Sequence, residues 1–271
     1  MMVAALVMLA ACGGTVSESI FETIDRAEVV PGEVRLDTSA GRDTDTDTGA
    51  GDDGGGDDTG PFTGGCLELH GDPDYFAGTD GALPMGDAAR TVEFWFKNSN
   101  NAGTDAVVAY GASGASFKVG FYNGFPMVEA NGVEAYGSSN IIADGSWHHL
   151  GATWDPGSGE LSLWIDGVLD GQQAASVQTS AGGVMWLGDD PVSPYSGDAF
   201  EGVIDEVHIW SKVLRQGEFG GLFESPPPGL TAWYTMNQEG AGAGLTLPNQ
   251  VGQSGLDLVS AGAPAFVPCE Y

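Results

Sequence analysis

The acidic segment at residues 201–206, Glu-Gly-Val-Ile-Asp-Glu, has the carboxylate spacing closest to that of a catalytic pair. On a β-strand, Glu201 and Asp205 share a face but lie about 13 Å apart, because the strand rises about 3.3 Å per residue. Retaining glycoside hydrolysis needs two carboxyl groups about 5 Å apart. Strict alternation also predicts that Glu206 points to the opposite face. The spacing therefore does not favour a hydrolase.

The histidines lack the spacing of metal ligands. His148 and His149 are adjacent, so on a strand they point to opposite faces and cannot share one ion. His70 and His208 have no second ligand at a suitable distance along the chain. Zinc is not predicted. No serine elbow and no phosphate-binding loop occurs either.

Two pairs of aspartates in turn-rich segments are candidate calcium ligands. The pairs are Asp72 with Asp74 and Asp189 with Asp190, and carboxylate oxygens are the ligands that Ca²⁺ prefers. Acidic loops are common in so acidic a chain, which has 38 Asp and Glu, 8 Lys and Arg, and a formal net charge of −30. Calcium is therefore one possible cofactor, and solvated acidic loops are the alternative. The same charge excludes a nucleic acid partner, which needs clustered cations.

Two tryptophans are candidate ligand-binding residues. Alternation in residues 91–97 and 161–166 places Trp95 and Trp164 on the polar side of their strands. An outward tryptophan either stacks on a sugar ring or packs beneath a loop. Both interpretations stay open at this point.

Short alternating stretches bounded by Gly, Asn, Asp or Pro follow residue 61 and predict an all-β domain. Predicted strands cover residues 91–97, 106–110, 117–122, 127–130, 148–154, 161–166, 184–187 and 203–210. Turns such as Asn123-Gly124, Asn131-Gly132 and Asp166-Gly167 separate several of them. One weak helical turn is predicted over residues 214–223. Strands at this spacing indicate a sandwich or a barrel.

The N-terminal part differs from the rest in composition. Residues 1–11 are almost wholly apolar, too short to span a bilayer, and end before Cys12, which resembles the lipidated cysteine of a bacterial lipoprotein. Residues 12–61 are rich in Asp, Gly and Thr and predict a disordered acidic linker. The expected organisation is a signal peptide, this linker, and one domain at 62–271. The corresponding localisation is export with a lipid anchor on the bacterial cell envelope, at the outer membrane or cell surface. We expect contact with a membrane only through this anchor.

Four segments in chain order resemble the laminin-G-like family, in the jelly-roll branch of the concanavalin A-like superfamily. The segments are TVEFWF (91–96), WHHLGATWD (147–155), LSLWIDG (161–167) and FEGVIDEVHIW (200–210). The resemblance implies a two-sheet antiparallel jelly-roll sandwich. In that family the first and last strands are neighbours, which implies a disulfide between Cys66 and Cys269. This disulfide closes a loop of 269 − 66 = 203 residues and would stabilise the folded domain by at most about 5 kcal/mol.

Three functions agree with these observations. The leading hypothesis is a non-catalytic, surface-displayed module that binds a glycan or an extracellular protein. The alternatives are a polysaccharide-active enzyme of the same superfamily and a purely structural envelope protein.

Overall fold

A computed structural model describes residues 64–98, 103–112, 117–138, 144–190, 199–253 and 255–269. Within these ranges the regular structure is β-strand, and no helix there is long and apolar enough to cross a membrane. The predictions for the signal peptide at residues 1–11, for Cys12 and for the linker up to residue 61 lie outside the described residues. The strands form two antiparallel sheets, as the sequence predicts.

The first sheet, called sheet I, contains the four motif strands at its centre. Numbered in chain order, its strands lie side by side as β10 (Val168–Ala174), β9 (Glu160–Ile165), β8 (Trp147–Asp155), β3 (Arg90–Lys97), β12 (Glu201–Trp210), β1 (Gly65–His70) and β16 (Ala265–Pro268). An additional strand, β13 (Leu230–Tyr234), pairs with the second half of β12. The first and last strands of the domain are therefore neighbours.

The second sheet, called sheet II, covers one face of sheet I. Its strands are β14 (Thr246–Leu247), β15 (Leu258–Ala261), β2 (Tyr75–Thr79), β11 (Val184–Leu187), β4 (Thr104–Gly111), β5 (Phe117–Tyr122), β6 (Phe125–Ala130) and β7 (Val133–Tyr136). Several connections are two-residue hairpins. Asn123-Gly124, Asn131-Gly132 and Asp166-Gly167 have positive φ at both positions, which is the backbone that a type I′ turn requires.

The core forms from alternate residues of both sheets. On β3, Val92, Phe94 and Phe96 are fully buried in the main apolar cluster between the sheets. Glu93 and Trp95 point to the outer face of sheet I, where their contacts lie. The removal of these aliphatic and aromatic side chains from water is the main contribution to the stability of such a sandwich. The predicted inward and outward sets on β3 and β9 are confirmed.

A β-bulge in β12 changes the direction of its side chains. Asp205 pairs with Trp95, while the next paired residue, His208, lies opposite Glu93, so β12 has one extra residue at this point. Glu206 has a φ of 48° and bonds to His208 on the outer face. The prediction that Glu206 points away from Asp205 is therefore wrong, because the bulge interrupts the strict alternation on which that prediction rested.

Two further predictions have clear outcomes. Cys66 and Cys269 form a disulfide with their Cα atoms 5.2 Å apart, which confirms the predicted pairing.

The predicted helical turn at residues 214–223 is wrong, since this stretch consists of turns and bends. Its three glycines oppose helix formation, and its apolar side chains pack onto sheet I instead.

Candidate functional site

The outer face of sheet I, away from the core, has two different halves. One half is covered by residues 211–229, a segment that we call the strap. Beneath and beside the strap is a second apolar cluster, formed by Trp210, Leu214, Phe219, Phe223, Leu230, Trp233 and Val251. The other half is occupied by a cleft. The bulge in β12 lies between the two halves.

Glu93 is the centre of a buried polar network under the strap. Its side chain is fully buried, and its two oxygens contact four donors on three segments. These donors are His149 Nε2 at 3.0 Å, His208 Nδ1 at 3.2 Å, Trp210 Nε1 at 2.8 Å and the Gly220 backbone N–H at 2.9 Å. The bond to Gly220 fastens the strap to sheet I.

The network continues from His208 to a second carboxylate. His208 Nε2 lies 3.1 Å from Glu206, which also accepts a 2.7 Å hydrogen bond from Trp233 Nε1. Burial opposes ionisation of Glu93, but hydrogen bonds from His149 and His208 outweigh it and lower the pKa of Glu93. Burial likewise opposes the charge on His208, yet bonds to Glu206 and Glu93 raise the pKa of His208. The network therefore pairs an imidazolium with carboxylates.

Both predicted ligand-binding tryptophans lie on this covered half. Trp95 packs edge-on against the His149 ring, with ring centroids 5.1 Å apart, and Trp164 packs against Phe219 of the strap at the same separation. Packing beneath a loop was the alternative interpretation of these side chains, and the geometry favours it. Ligand binding by Trp95 and Trp164 stays a prediction.

The two adjacent histidines serve different faces of β8, as predicted. His149 contacts Glu93 on the outer face. His148 instead lies near Phe96 and contacts Asp166 at 2.9 Å and Asp144 at 3.4 Å. The two rings therefore belong to separate polar networks.

The uncovered half of the outer face forms a cleft of about 530 Å³. Its walls come from the ends of β1, β3, β8, β12 and β16. The lining residues are Glu68, Leu69, His70, Lys97, Asn98, Gly145, Trp147, Glu201, Gly202, Val203, Val267 and Pro268. The volume is in the range of small-ligand pockets, and the lining combines an aromatic ring with carboxylates and cations.

His70 is held in the cleft by a buried carboxylate. Its Nδ1 lies 2.8 Å from Asp74, which is almost fully buried, while about half of the His70 side chain remains exposed. The bond to Asp74 raises the pKa of His70, and Glu68, at 3.6 Å from Nε2, adds to this effect. His70 therefore presents an oriented and readily protonated ring nitrogen to the cleft.

The predicted calcium ligands come from neighbouring segments, but the carboxylates of Asp74 and Asp190 have separate contacts. Asp74 accepts bonds from His70 and from the Ala263 backbone N–H. Asp190 lies 3.8 Å from Lys118. Among the described residues, the only group of three acidic, thiol or imidazole side chains with ligand atoms within 4.8 Å is Cys66, Asp205 and Cys269. The calcium assignment of Asp72, Asp74, Asp189 and Asp190 stays a prediction.

The sequence patterns did not identify the Glu93 network or the cleft. Glu93, His149 and His208 come from three strands whose order in the sheet depends on the topology, so their spacing along the chain gives no signal. Their positions on the outward side of motif strands were the one available indication. The cleft residues likewise meet only where five strand ends converge.

The two antiparallel sheets, with one outer face divided between a strap and a cleft, define a β-sandwich module. The chain belongs to the concanavalin A-like lectin/glucanases superfamily, whose laminin-G family model matches residues 70–219, more than half of its length. The matched region includes all four motifs on which the resemblance rested.

Individual relatives share parts of this domain. The chain is 30% identical over 162 residues to the rat (Rattus norvegicus) sushi, von Willebrand factor type A, EGF and pentraxin domain-containing protein 1, covering 56% of this chain and 4% of that protein. It is 31% identical over 97 residues to C-reactive protein 1.4 of Limulus polyphemus, covering 33% of this chain and 40% of that protein. The chain therefore spans only a small part of the first of these relatives and less than half of the second.

Two solved structures show the same fold. A proposed carbohydrate binding protein from Bacteroides ovatus superposes with a TM-score of 0.59 at 13% identity, covering 77% of this chain and 61% of that one. A heptameric SAP-like pentraxin from Limulus polyphemus gives a TM-score of 0.53 at 13% identity, covering 76% and 96%. At this level of identity the comparison concerns the fold alone.

Proposed function

We propose that this chain is a non-catalytic, surface-displayed binding module that holds a glycan in the cleft of sheet I. The observation that carries the proposal is the composition of the cleft. Trp147 offers an aromatic surface for a sugar ring, while Glu68, His70, Lys97 and Glu201 offer acceptors and donors for hydroxyl groups. A flat protein interface would not need such a concave, mixed lining.

The positions of the carboxylates support binding rather than hydrolysis. Glu206 does not line the cleft and is bonded to His208 and Trp233. Asp205 faces the disulfide and also lies outside the cleft lining. A retaining mechanism needs two carboxyl groups about 5 Å apart on either side of the scissile bond. Of the three carboxylates in residues 201–206, only Glu201 lines the cleft.

Export and anchoring belong to the same proposal. A disulfide that joins the first strand to the residue after the last strand is typical of an oxidising compartment. In our proposal Cys12 carries the lipid, residues 12–61 separate the domain from the envelope, and the cleft faces outward. Calcium bound by Asp72, Asp74, Asp189 or Asp190 would stabilise the rim loops. Mass spectrometry of the mature N-terminus tests the anchor, and an unmodified Cys12 would remove it.

A glycan array with and without calcium tests the main proposal. Retention of a defined set of glycans is expected, and Trp147→Ala should weaken binding at least about 10-fold through the loss of ring stacking. The matched control is Trp186→Ala, because Trp186 is also half-buried but lies on sheet II. The control variant should bind as the wild type does.

Other outcomes would identify the alternatives. Release of reducing sugar from a polysaccharide panel, abolished by Glu201→Gln or Glu206→Gln, would indicate an enzyme. Absence of glycan retention under both calcium conditions would contradict the proposal and favour a structural role. Equal loss of binding in both tryptophan variants would place the ligand elsewhere on the domain.

A further inference from the structure

The Cys66–Cys269 disulfide lies on the outer face of sheet I, between the cleft and the Glu93 network. Cys66 is on β1 and is fully buried, whereas Cys269 directly follows β16 and is half-buried. The disulfide joins two strands that both contribute to the cleft wall. Of its two sulfur atoms, that of Cys269 is therefore the more accessible to a molecule from solvent.

A carboxyl group is positioned beside this disulfide. Asp205 is 4% exposed, and its Oδ2 lies 3.8 Å from the Sγ of Cys269. A ligand atom of Asp205 and the sulfurs of Cys66 and Cys269 all lie within 4.8 Å of one another. The backbone N–H of Glu206 donates a 2.8 Å bond to Asp205 Oδ1, so the second oxygen faces the sulfur atoms. The bulge in β12 creates this arrangement.

The surroundings of Asp205 favour the protonated acid. Burial, followed by the nearby charge of Glu206, raises the pKa of Asp205 to about 8, against smaller opposing effects of the Glu206 backbone bond and His208. Asp205 lies near Cys66 of β1 and opposite Trp95 of β3, and neither side chain carries a charge in the oxidised protein. A disulfide sulfur has no proton, so the proton in this contact belongs to the carboxyl group.

We propose that Asp205 is the proton donor for thiol–disulfide exchange at the Cys66–Cys269 bond, with an external thiol as the co-reactant. The thiolate of that reactant attacks Cys269 Sγ and forms a mixed disulfide. The S–S bond breaks, its electron pair goes to Cys66 Sγ, and this sulfur takes the proton of Asp205. Asp205 is then a carboxylate. A second thiol releases Cys269, and the reverse sequence re-forms the bond with Asp205 as proton acceptor.

The burial of Cys66 is the reason that a local donor matters. A bare thiolate at a fully buried position has lost its hydration, which makes it a poor leaving group. A proton from a carboxyl oxygen that lies within 4.8 Å of Cys66 Sγ removes that cost in the same step. No part of this chemistry involves the glycan, so it can succeed or fail independently of the proposed function.

The test measures reduction of the disulfide in the full chain by dithiothreitol between pH 6 and 9.5, with free thiols as the readout. Each observed rate is divided by the dithiothreitol thiolate concentration at that pH. For the wild type, the resulting rate constant should fall about 10-fold as the pH rises through 8 and Asp205 loses its proton. Asp205→Asn should be about 10-fold slower than the wild type at pH 6.5 and should show no such fall.

Asp80→Asn is the matched control, because Asp80 is a buried aspartate that accepts backbone bonds from Gly182 and Gly183, far along the chain from the disulfide. It should keep the wild-type profile. A wild-type rate constant that does not change with pH would overturn the proposal, and so would an Asp205→Asn profile equal to the wild type. The wild-type profile decides the question even if Asp205→Asn fails to fold.

Discussion

Replacing Glu93 with glutamine removes the negative charge that four donors share beneath the strap. The amide keeps one acceptor oxygen, so the donors on one side, either His149 with Gly220 or His208 with Trp210, lose their acceptor. Removing one partner of a buried ion pair typically costs about 3 to 5 kcal/mol. Folded domains are stable by only about 5 to 15 kcal/mol, so we expect Glu93→Gln to lose a large share of the stability.

Equilibrium urea unfolding at pH 7, followed by tryptophan fluorescence, measures this loss. Glu68→Gln is the control, because Glu68 is a partly exposed glutamate on the same face of sheet I and should change the unfolding free energy by less than about 1 kcal/mol. The double variant of Glu93→Gln and His208→Gln should show a coupling energy of about 1 kcal/mol or more. Equal unfolding free energies of Glu93→Gln and Glu68→Gln would refute the argument that this network holds the strap.

Three further outcomes are expected. Burial raises the pKa of Asp205 to about 8, so the protonated carboxyl group stabilises the folded protein. This stabilisation is complete below the ordinary aspartate pKa near 4 and is lost as the pH rises to 8. The unfolding free energy of Asp205→Asn minus that of the wild type should therefore grow by up to about 1.4 kcal/mol per pH unit between pH 5 and 7.5 and level off above 8; a constant difference would contradict the shift. Gly120→Ala should lower the melting temperature because its added Cβ overlaps a carbonyl oxygen of β4, whereas Gly81→Ala meets no close neighbour and should be nearly neutral in thermal unfolding. Replacing Cys66 and Cys269 together with alanine should cost about 2 to 5 kcal/mol in denaturant unfolding, and no measurable loss would show that the disulfide does not stabilise the fold.

The strongly patterned strands were predicted well, and the weakly patterned ones were missed. β11 (Val184–Leu187) and β5 (Phe117–Tyr122) begin and end at the predicted residues. β10 and β14 were not predicted. β10 (Val168–Ala174) is an edge strand of sheet I with mostly half-buried or exposed side chains, so it lacks an apolar alternation. β14 (Thr246–Leu247) has two residues, too few for any period.

The sequence by itself determined the two-sheet sandwich, the turn positions and the pairing of Cys66 with Cys269, because alternation, Asn-Gly or Asp-Gly dipeptides and the family motifs are local signals. Only the tertiary structure decided where the polar side chains meet. One extra residue in β12 turns Glu206 outward, and the order of the strands places His149 and His208 on either side of Glu93. A bulge and a strand order depend on contacts between segments far apart in the chain, and local residue patterns carry little of that information.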